Sequence, residues 1–576
     1  MKSILLSTLN AKYIHSSLAL HYLRAYCQEH SSLGMNIREF TINEALADIM
    51  AAIYLEQPEV LCFSCYIWNI RPILEIVVDY KKLSPRTTII LGGPEVSYDA
   101  ETLLQANPSL DFIVRGEGEV SLQELLLALE EDLEVGQIQG ISYRQGEQVY
   151  HNSDRPLIHD LDSIPFPYPL DLADFRDKIV YYESSRGCPY NCSYCLSSTQ
   201  HGVRFFPIER VKQDLKVLST QELREIKFVD RTFNCHEERA LEIMRWVIEL
   251  DTVTQFHFEM EASLLSPRML DFLQTVPAGK FNLEIGIQST YPPALQAVQR
   301  KSDWEKASEN ITRLKSGHNV HLHLDLIAGL PLETYHDFAR SFNDVYGLQA
   351  DVLQLGFLKL LKGSAMRDAA PEYGYIYQEQ PPYQVLANYY IDYAGMIKLK
   401  QIEELLDKYH NSAEFVQSIA YIIRSEFDNN AFGFFEDFAR YWQAQGLFDL
   451  GHTKESYYKF IIEFIRSHHL DQAEIMNDLL KYDYIMNHRT RHPDCLWSHN
   501  PDDVNKEIYG YIKDNHFRKL HLADKVALSP REIRKNMHLE YFHYDPENAL
   551  YSQNLLKMIF VYDPVKKRVA RKIRLA

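Results

Sequence analysis

Short apolar runs alternate with helical periodicity over residues 1–150. Met1–Leu9 is largely apolar, and Ser16–Gln28 repeats its apolar residues at helical spacing. Val60–Tyr66 and Thr87–Leu91 are β-rich, and the second runs into Gly92-Gly93-Pro94-Glu95. Phe112–Val114 runs into Arg115-Gly116-Glu117-Gly118-Glu119 before helical spacing resumes in Leu122–Leu129. This rhythm predicts an α/β domain with a doubly wound, Rossmann-like parallel sheet. Ligands of such sheets sit beyond the carboxyl ends of the strands, where these glycines fall.

Residues 151–175 lapse into Pro- and Asp-rich sequence, including Ile164-Pro165-Phe166-Pro167-Tyr168-Pro169, and read as an ordered linker. From 176 to 370 a second series follows, with strands near Ile179–Glu183, Glu225–Val229, Thr254–Glu261, Phe281–Ile287, His321–Ile327 and Val352–Leu358. Six strand–helix units predict a partial (β/α) barrel with its chemistry at the strand C-terminal ends. From 371 to 576 the pattern is mostly helical (Tyr383–Lys398, Glu414–Ser425, Ala431–Gln443, Lys454–His468), with a β-prone end at Lys557–Tyr562. The chain's 576 residues exceed what one core holds, which agrees with several domains.

Charge and cysteine usage narrow the chemistry. The formal charge of −19 opposes nucleic-acid binding driven by overall charge. No apolar run spans a bilayer, and the N-terminal run is too short for a signal peptide, so the expected location is cytoplasmic. Cysteines there stay reduced, and close clusters of them suggest metal. Cys188, Cys192 and Cys195 stand at CxxxCxxC spacing just after a predicted strand. Zinc usually takes four such ligands, and His201 lies at an irregular offset. Three thiolates suit a four-iron four-sulfur cluster with one open iron; three buried or zinc-bound thiols are the rival reading. Cys62 and Cys65 form a CxxC inside a strand run, where they face opposite ways, so a structural role is expected. His321 and His323 share a strand face.

The segment Arg186-Gly187-Cys188-Pro189-Tyr190-Asn191-Cys192-Ser193-Tyr194-Cys195 resembles the signature of the radical S-adenosylmethionine superfamily, including the aromatic Tyr194 before the third cysteine. The resemblance implies that the methionyl amine and carboxylate chelate the open iron, and that one electron yields a 5′-deoxyadenosyl radical. Later strands resemble the family's too. Asp230 stands where an acid meets the methionine amine, and Arg231 where many relatives place a second Asp. Glu259 lies in the third motif, Gln288 and Ser289 in the fourth, and Gly329 in the fifth, near adenine. The resemblance assigns no residue to catalysis itself.

The first domain resembles the cobalamin-binding module that precedes many of these barrels. The matching turns are Gly92, Gly93, Pro94 and Glu95, then Gly116, Glu117, Gly118 and Glu119. Glycine there lets backbone approach a flat corrin. The Asp-x-His-x-x-Gly motif is absent, which implies base-off cobalamin without a histidine ligand. Ser64, Tyr66 and Trp68 are candidates for the lower face of cobalt, and Asn10 for the corrin edge. Residues from about 370 resemble an uncharacterised extension of a subset of the superfamily, with Tyr389, Tyr390 and Tyr393 as candidates to cap the barrel mouth.

The implied activity is cobalamin-dependent methylation of an unactivated carbon or phosphorus centre. Ring closure or rearrangement without methyl transfer is the alternative, and a non-catalytic cobalamin or cluster sensor the third. The implied partners are an unidentified substrate and an external electron donor such as flavodoxin or ferredoxin, with no membrane.

Overall fold

All seven residues of β1 (Ile4–Asn10) are buried, as befits the inside of a parallel sheet covered on both faces. β2 (Met35–Thr41), β3 (Val60–Ser64), β4 (Thr88–Gly92) and β5 (Phe112–Val114) join it in parallel, and β6 (Ile141–Gln145) and β7 (Gln148–His151) add an antiparallel hairpin. The order β2-β1-β3-β4-β5-β6-β7 reverses direction between β1 and β3, and the crevice at their carboxyl ends is the usual ligand position of such sheets. Sequence periodicity does not reveal β2, because only its Met35 and Phe40 are buried on this charged edge strand. Cys62 packs with Ile4 and Leu6 on one face of the sheet, and Cys65 with Leu61 and Phe63 on the other. Burial pushes both thiols well above the ordinary range.

The computed structural model describes residues 2–31, 33–169, 172–199, 202–221, 223–468, 473–489, 492–523, 528–563 and 568–575, so His201 lies outside the described residues. It divides into two units, Met1–Ala350 with Leu355–Met396, and Asp351–Gln354 with Ile397–Ala576. The first unit holds the sheet above and a second one. This second sheet starts with β8 (Ile179–Tyr182). A hairpin of β9 (Ser185–Cys188) and β10 (Gly202–Phe205) follows, then β11 (Glu225–Phe228), β12 (Gln255–Met260), β13 (Phe281–Gln288), β14 (His321–Ala328) and β15 (Val352–Phe357). The order β15-β14-β13-β12-β11-β8 is that of an open, six-stranded partial barrel. Strict alternation sets its two faces. In β13, Phe281, Leu283, Ile285 and Ile287 are buried, while Asn282, Glu284, Gly286 and Gln288 are partly accessible. Strong caps start the covering helices, including Ser266 before Pro267 and a Thr334–Asp337 capping box.

The helical pattern read over Tyr383–Lys398 is corrected by the structure. β16 (Ile376–Tyr377) and β17 (Val385–Ala387) pair antiparallel, and the helix starts only at Tyr393. Tyr383 takes a left-handed φ of 57°, and the side-chain Oδ1 of Asn388 accepts from the amides of Tyr390 and Ile391, so the chain turns where periodicity suggested a helix.

The second unit packs helices Val416–Glu426, Ala431–Ala444, Lys454–Ser467 and Ala473–Asn487 around an aromatic core that includes Phe438, Trp442 and Phe464. Its end forms a three-stranded antiparallel sheet, β18 (Met537–Asp545), β19 (Leu550–Tyr562) and β20 (Val569–Leu575). The fully buried Lys481 ammonium joins helix to sheet, 3.2 Å from Asp478 and 3.1 Å from Glu540, both also at 0% exposure. Among the described residues, no helix is long and apolar enough to cross a membrane.

Candidate functional site

Cys188 ends β9, and its neighbour Gly187 explains how the loop turns there. Gly187 has a φ of +99°, and a Cβ on it would lie 2.1 Å from the Gly202 carbonyl oxygen across the β9–β10 ladder. The next turn is held by the Cys195 amide donating to the Cys192 carbonyl at 3.0 Å. Ser193 is tied on both sides, its amide to Val298 and its carbonyl to the Met366 amide. Cys192 is buried, while Cys188 and Cys195 are partly accessible. Among the described residues, no trio of Cys, His, Asp or Glu converges as ligands of a single ion must. Three thiolates on three irons of a cube need no common point, and the donor set fits such a cluster.

Asp230 follows β11 and is 2% exposed. Its two oxygens accept from the Ser184 amide at 2.9 Å, the Ser184 hydroxyl at 2.7 Å and the Ser185 hydroxyl at 2.5 Å. Burial raises its pKa against those bonds. The carboxylate thus anchors the start of the strand that ends at Cys188. Tyr194 is partly buried beside Cys192 and Arg300, and burial raises its hydroxyl. Arg300 donates to Glu261 at 2.8 Å and to the Gly286 carbonyl.

The barrel interior is polar. Lys227 reaches Glu284 at 2.7 Å, and His257 bridges Glu284 at 2.8 Å and Glu225 at 3.1 Å. Burial alone would raise the Glu284 carboxyl, yet His257 and Lys227 hold it below the ordinary range. Higher on the same faces stand Glu259 and Asp325, both raised by burial, and His323 lies 3.1 Å from Asp325. Gln288 turns with a φ of 73° over Gly286, and its side-chain carbonyl oxygen is buried with no hydrogen-bond partner among the described residues. Ser289 donates to Glu333 at 2.6 Å, and the other Glu333 oxygen is buried with no partner among the described residues. Gly329, with a φ of +90°, offers its carbonyl to Tyr375 at 3.0 Å and Asn388 at 3.2 Å. Unmatched polar atoms beside the strand ends fit a polar ligand.

At the β1–β3 crevice, Asn10 donates to Glu39 at 2.6 Å, and the Ser64 carbonyl accepts from Thr8 and Asn69. Tyr66 and Trp68 stack at 4.5 Å with planes 3° apart, and Trp68 is 44% exposed. Gly93 needs its φ of +103°, since a Cβ would meet the Cys65 carbonyl at 2.6 Å. Gly116 faces open space, with nothing within 4 Å of a built Cβ. A flat aromatic pair and the open turn at Gly116 fit a broad macrocycle.

The acids of these turns are engaged elsewhere. Glu117 pairs with Arg204 at 2.7 Å and with Arg186 at 3.3 Å, and accepts from the Ile158 amide at 2.7 Å. Glu119 lies 2.6 Å and Glu183 2.8 Å from Arg186, and burial lifts Glu183 to about 7 against that guanidinium's pull. Glu95 accepts from the Tyr383 hydroxyl and lies 3.2 Å from Lys362. Tyr389 and Tyr393 are 72% and 55% exposed. Arg186, Arg204, Lys362 and Tyr383 carry no signal in the sequence beyond the first one's place in the cysteine motif, because their partners are remote in the chain.

Three family models match. One described as a B12 binding domain covers residues 5–126, one for the radical SAM superfamily covers 182–345, and one described as a protein of unknown function, DUF4080, covers 371–560. The chain is 28% identical over 285 residues to a protein of Pyrococcus horikoshii described as uncharacterized methyltransferase PH0819, covering 48% of this chain and 61% of that one. It is 28% identical over 309 residues to the cobalamin-dependent radical SAM methyltransferase TokK of Streptomyces tokunonensis, covering 50% and 44%. Across such curated relatives the matches span about half their length. The fold matches that of the cobalamin-dependent S-adenosylmethionine radical enzyme OxsB with a TM-score of 0.58 at 15% identity, covering 84% of this chain and 79% of that one.

Proposed function

We propose that this chain, which is matched by a B12 binding domain model over 5–126 and a radical SAM superfamily model over 182–345, is a cobalamin-dependent radical S-adenosylmethionine methyltransferase acting on an unactivated carbon or phosphorus centre. The supporting observation is that within one unit the ligand-side turn after β5 of the first sheet is ion-paired to the hairpin that bears Cys188. When bound, the cluster would supply the electron that turns S-adenosylmethionine into a 5′-deoxyadenosyl radical, and cobalamin the methyl group that is transferred.

The chain's own residues do the rest. Cys188, Cys192 and Cys195 hold the cluster, and Asp230 fixes the start of the strand that ends at Cys188 through Ser184 and Ser185. Glu259, Gln288, Ser289 and Gly329 line the S-adenosylmethionine side of the strand ends, with Tyr194 packed beside the cluster loop. Asn10, Ser64, Tyr66, Trp68, Gly92, Gly93, Pro94, Gly116 and Gly118 form the corrin side. The acids Glu95, Glu117 and Glu119 act from the same turns through cationic partners. Excluding water between the two sides protects a radical from side reactions.

The test is anaerobic turnover of the reconstituted chain with S-adenosylmethionine labelled in its methyl group. Label moving onto cobalamin and then onto a carbon or phosphorus acceptor supports the reading. Reductive cleavage to 5′-deoxyadenosine with all of the label retained in methionine, and none on cobalamin or an acceptor, refutes it.

A further inference from the structure

The partial barrel leaves its outermost strands, β8 and β15, unjoined. The first sheet reaches past both. On the β8 side, the Ile179 amide donates to Ile14 at 2.6 Å, and His15 meets the Tyr181 hydroxyl at 2.7 Å. Just beyond β8, Arg186 and Arg204 of the cysteine hairpin grip Glu117 and Glu119 from the turn after β5. On the β15 side, Lys362 lies 3.2 Å from Glu95 and 2.8 Å from Asp99, both after β4, while Tyr383 donates to Glu95. Each glycine turn is therefore followed by an acid that is committed to one edge of the barrel.

The ion-paired side chains are sequestered apart from Asp99, which is 35% exposed. Arg186 is 12% exposed, and its partners Glu117, Glu119 and Glu183 are 10%, 6% and 12%. Glu95 is 5% exposed. Ion pairs this dry hold one geometry, because breaking them leaves a bare charge in a poor solvent. Arg186 also sits two residues from Cys188, so its grip ties a glycine turn of the first sheet to the cysteine loop itself.

We propose that Glu95, Glu117 and Glu119 form two braces that lock the first sheet across the open side of the barrel. Arg186 and Lys362 are positioning residues that fix the separation of the corrin turns from the cysteine hairpin. The spacing role rests on the proposed function; the braces themselves do not. Arg186 meets three carboxylates from two sheets, which a lysine ammonium cannot match in geometry. Lys362 shares Glu95 with the Tyr383 hydroxyl on the side opposite Arg186, so the two braces are separable by mutation.

Hydrogen exchange on the full chain without cofactors reads the braces directly. R186Q is expected to speed exchange about tenfold or more at 116–119 and at Ile158, leaving 93–96 within about twofold, and K362M to do the reverse. R186K falls between the natural chain and R186Q, which keeps the test valid if R186Q folds poorly. Exchange unchanged at both turns in R186K and K362M overturns the braces. In the chain loaded with cob(II)alamin and a reduced cluster, the magnetic coupling between the two spins reads their separation, normalised to iron and cobalt content. One narrow coupling in the natural chain that broadens in R186K and K362M supports positioning, and identical coupling in all three overturns it. Should the exchange pattern hold while the natural chain binds no cobalamin, the braces stand and the proposed function falls.

Discussion

Replacing Gly187 by alanine should prevent the cysteine hairpin from closing, and Gly202 supplies its internal control. Both glycines have left-handed φ, +99° and +82°, so alanine at either pays a conformational cost of about 1–2 kcal/mol. Only Gly187 carries a clash as well, because its Cβ would lie 2.1 Å from the Gly202 carbonyl, whereas among the described residues nothing lies within 4 Å of a Cβ on Gly202. Relief requires parting β9 from β10, whose register pairs Gly202 with Cys188 and Val203 with Gly187. Losing two ladder hydrogen bonds adds about 2–3 kcal/mol, so G187A should cost about 3–5 kcal/mol in hairpin closure. The difference from G202A corresponds to roughly a hundredfold in the closed fraction. The assay is iron and sulfide per chain after anaerobic reconstitution at limiting iron. G202A should load close to the natural chain, and G187A should load little. Equal loading of the two variants would refute the reasoning, since it would mean that φ alone, or neither term, governs the hairpin.

Further outcomes follow from buried polar groups. D230N keeps the volume but turns one acceptor into a donor facing Ser184 and Ser185, so the melting temperature should fall by an amount matching about 1.5–3 kcal/mol; an unchanged melt contradicts the anchoring role. Burial raises the Glu333 carboxyl from 4.5 to about 7, so the native state keeps a proton that the unfolded chain has lost. Its contribution to stability is present at low pH and lost as pH rises from about 4.5 to 7, by up to about 3 kcal/mol. Relative to the natural chain, E333Q should therefore gain stability over that window, and parallel melting curves of the two against pH would exclude the shift. K481M leaves Asp478 and Glu540 buried without their cation, which should cost about 3–5 kcal/mol and expose the second unit to trypsin. Resistance equal to that of the natural chain would contradict that.

The alternation in β12 to β14 and the apolar runs of β1, β3 and β4 announced both sheets, because burial imposes a period of two or none at all. β2 escaped because an edge strand with charges at Arg38 and Glu39 carries little of that period. The turn at Asn388 escaped because it depends on a side chain bonding its own backbone, which periodicity does not register. The cysteine trio was legible as spacing. The use of Glu117 was not, since its partners Arg186 and Arg204 stand 69 and 87 residues away and only the fold brings them together. The sequence suggested a corrin contact for that residue; its carboxylate lies in ion pairs with Arg186 and Arg204.

The Gly329 carbonyl is met by Tyr375 and Asn388, and Glu95 by Tyr383, all three from the stretch 371–396. The DUF4080 model begins at 371, yet those residues belong to the same unit as the barrel, whose limit is Met396. Inheritance and packing thus draw the border in different places. A chain cut at 370 would strip the barrel of a layer it uses, so any graft of this barrel onto another partner should carry at least the next 26 residues.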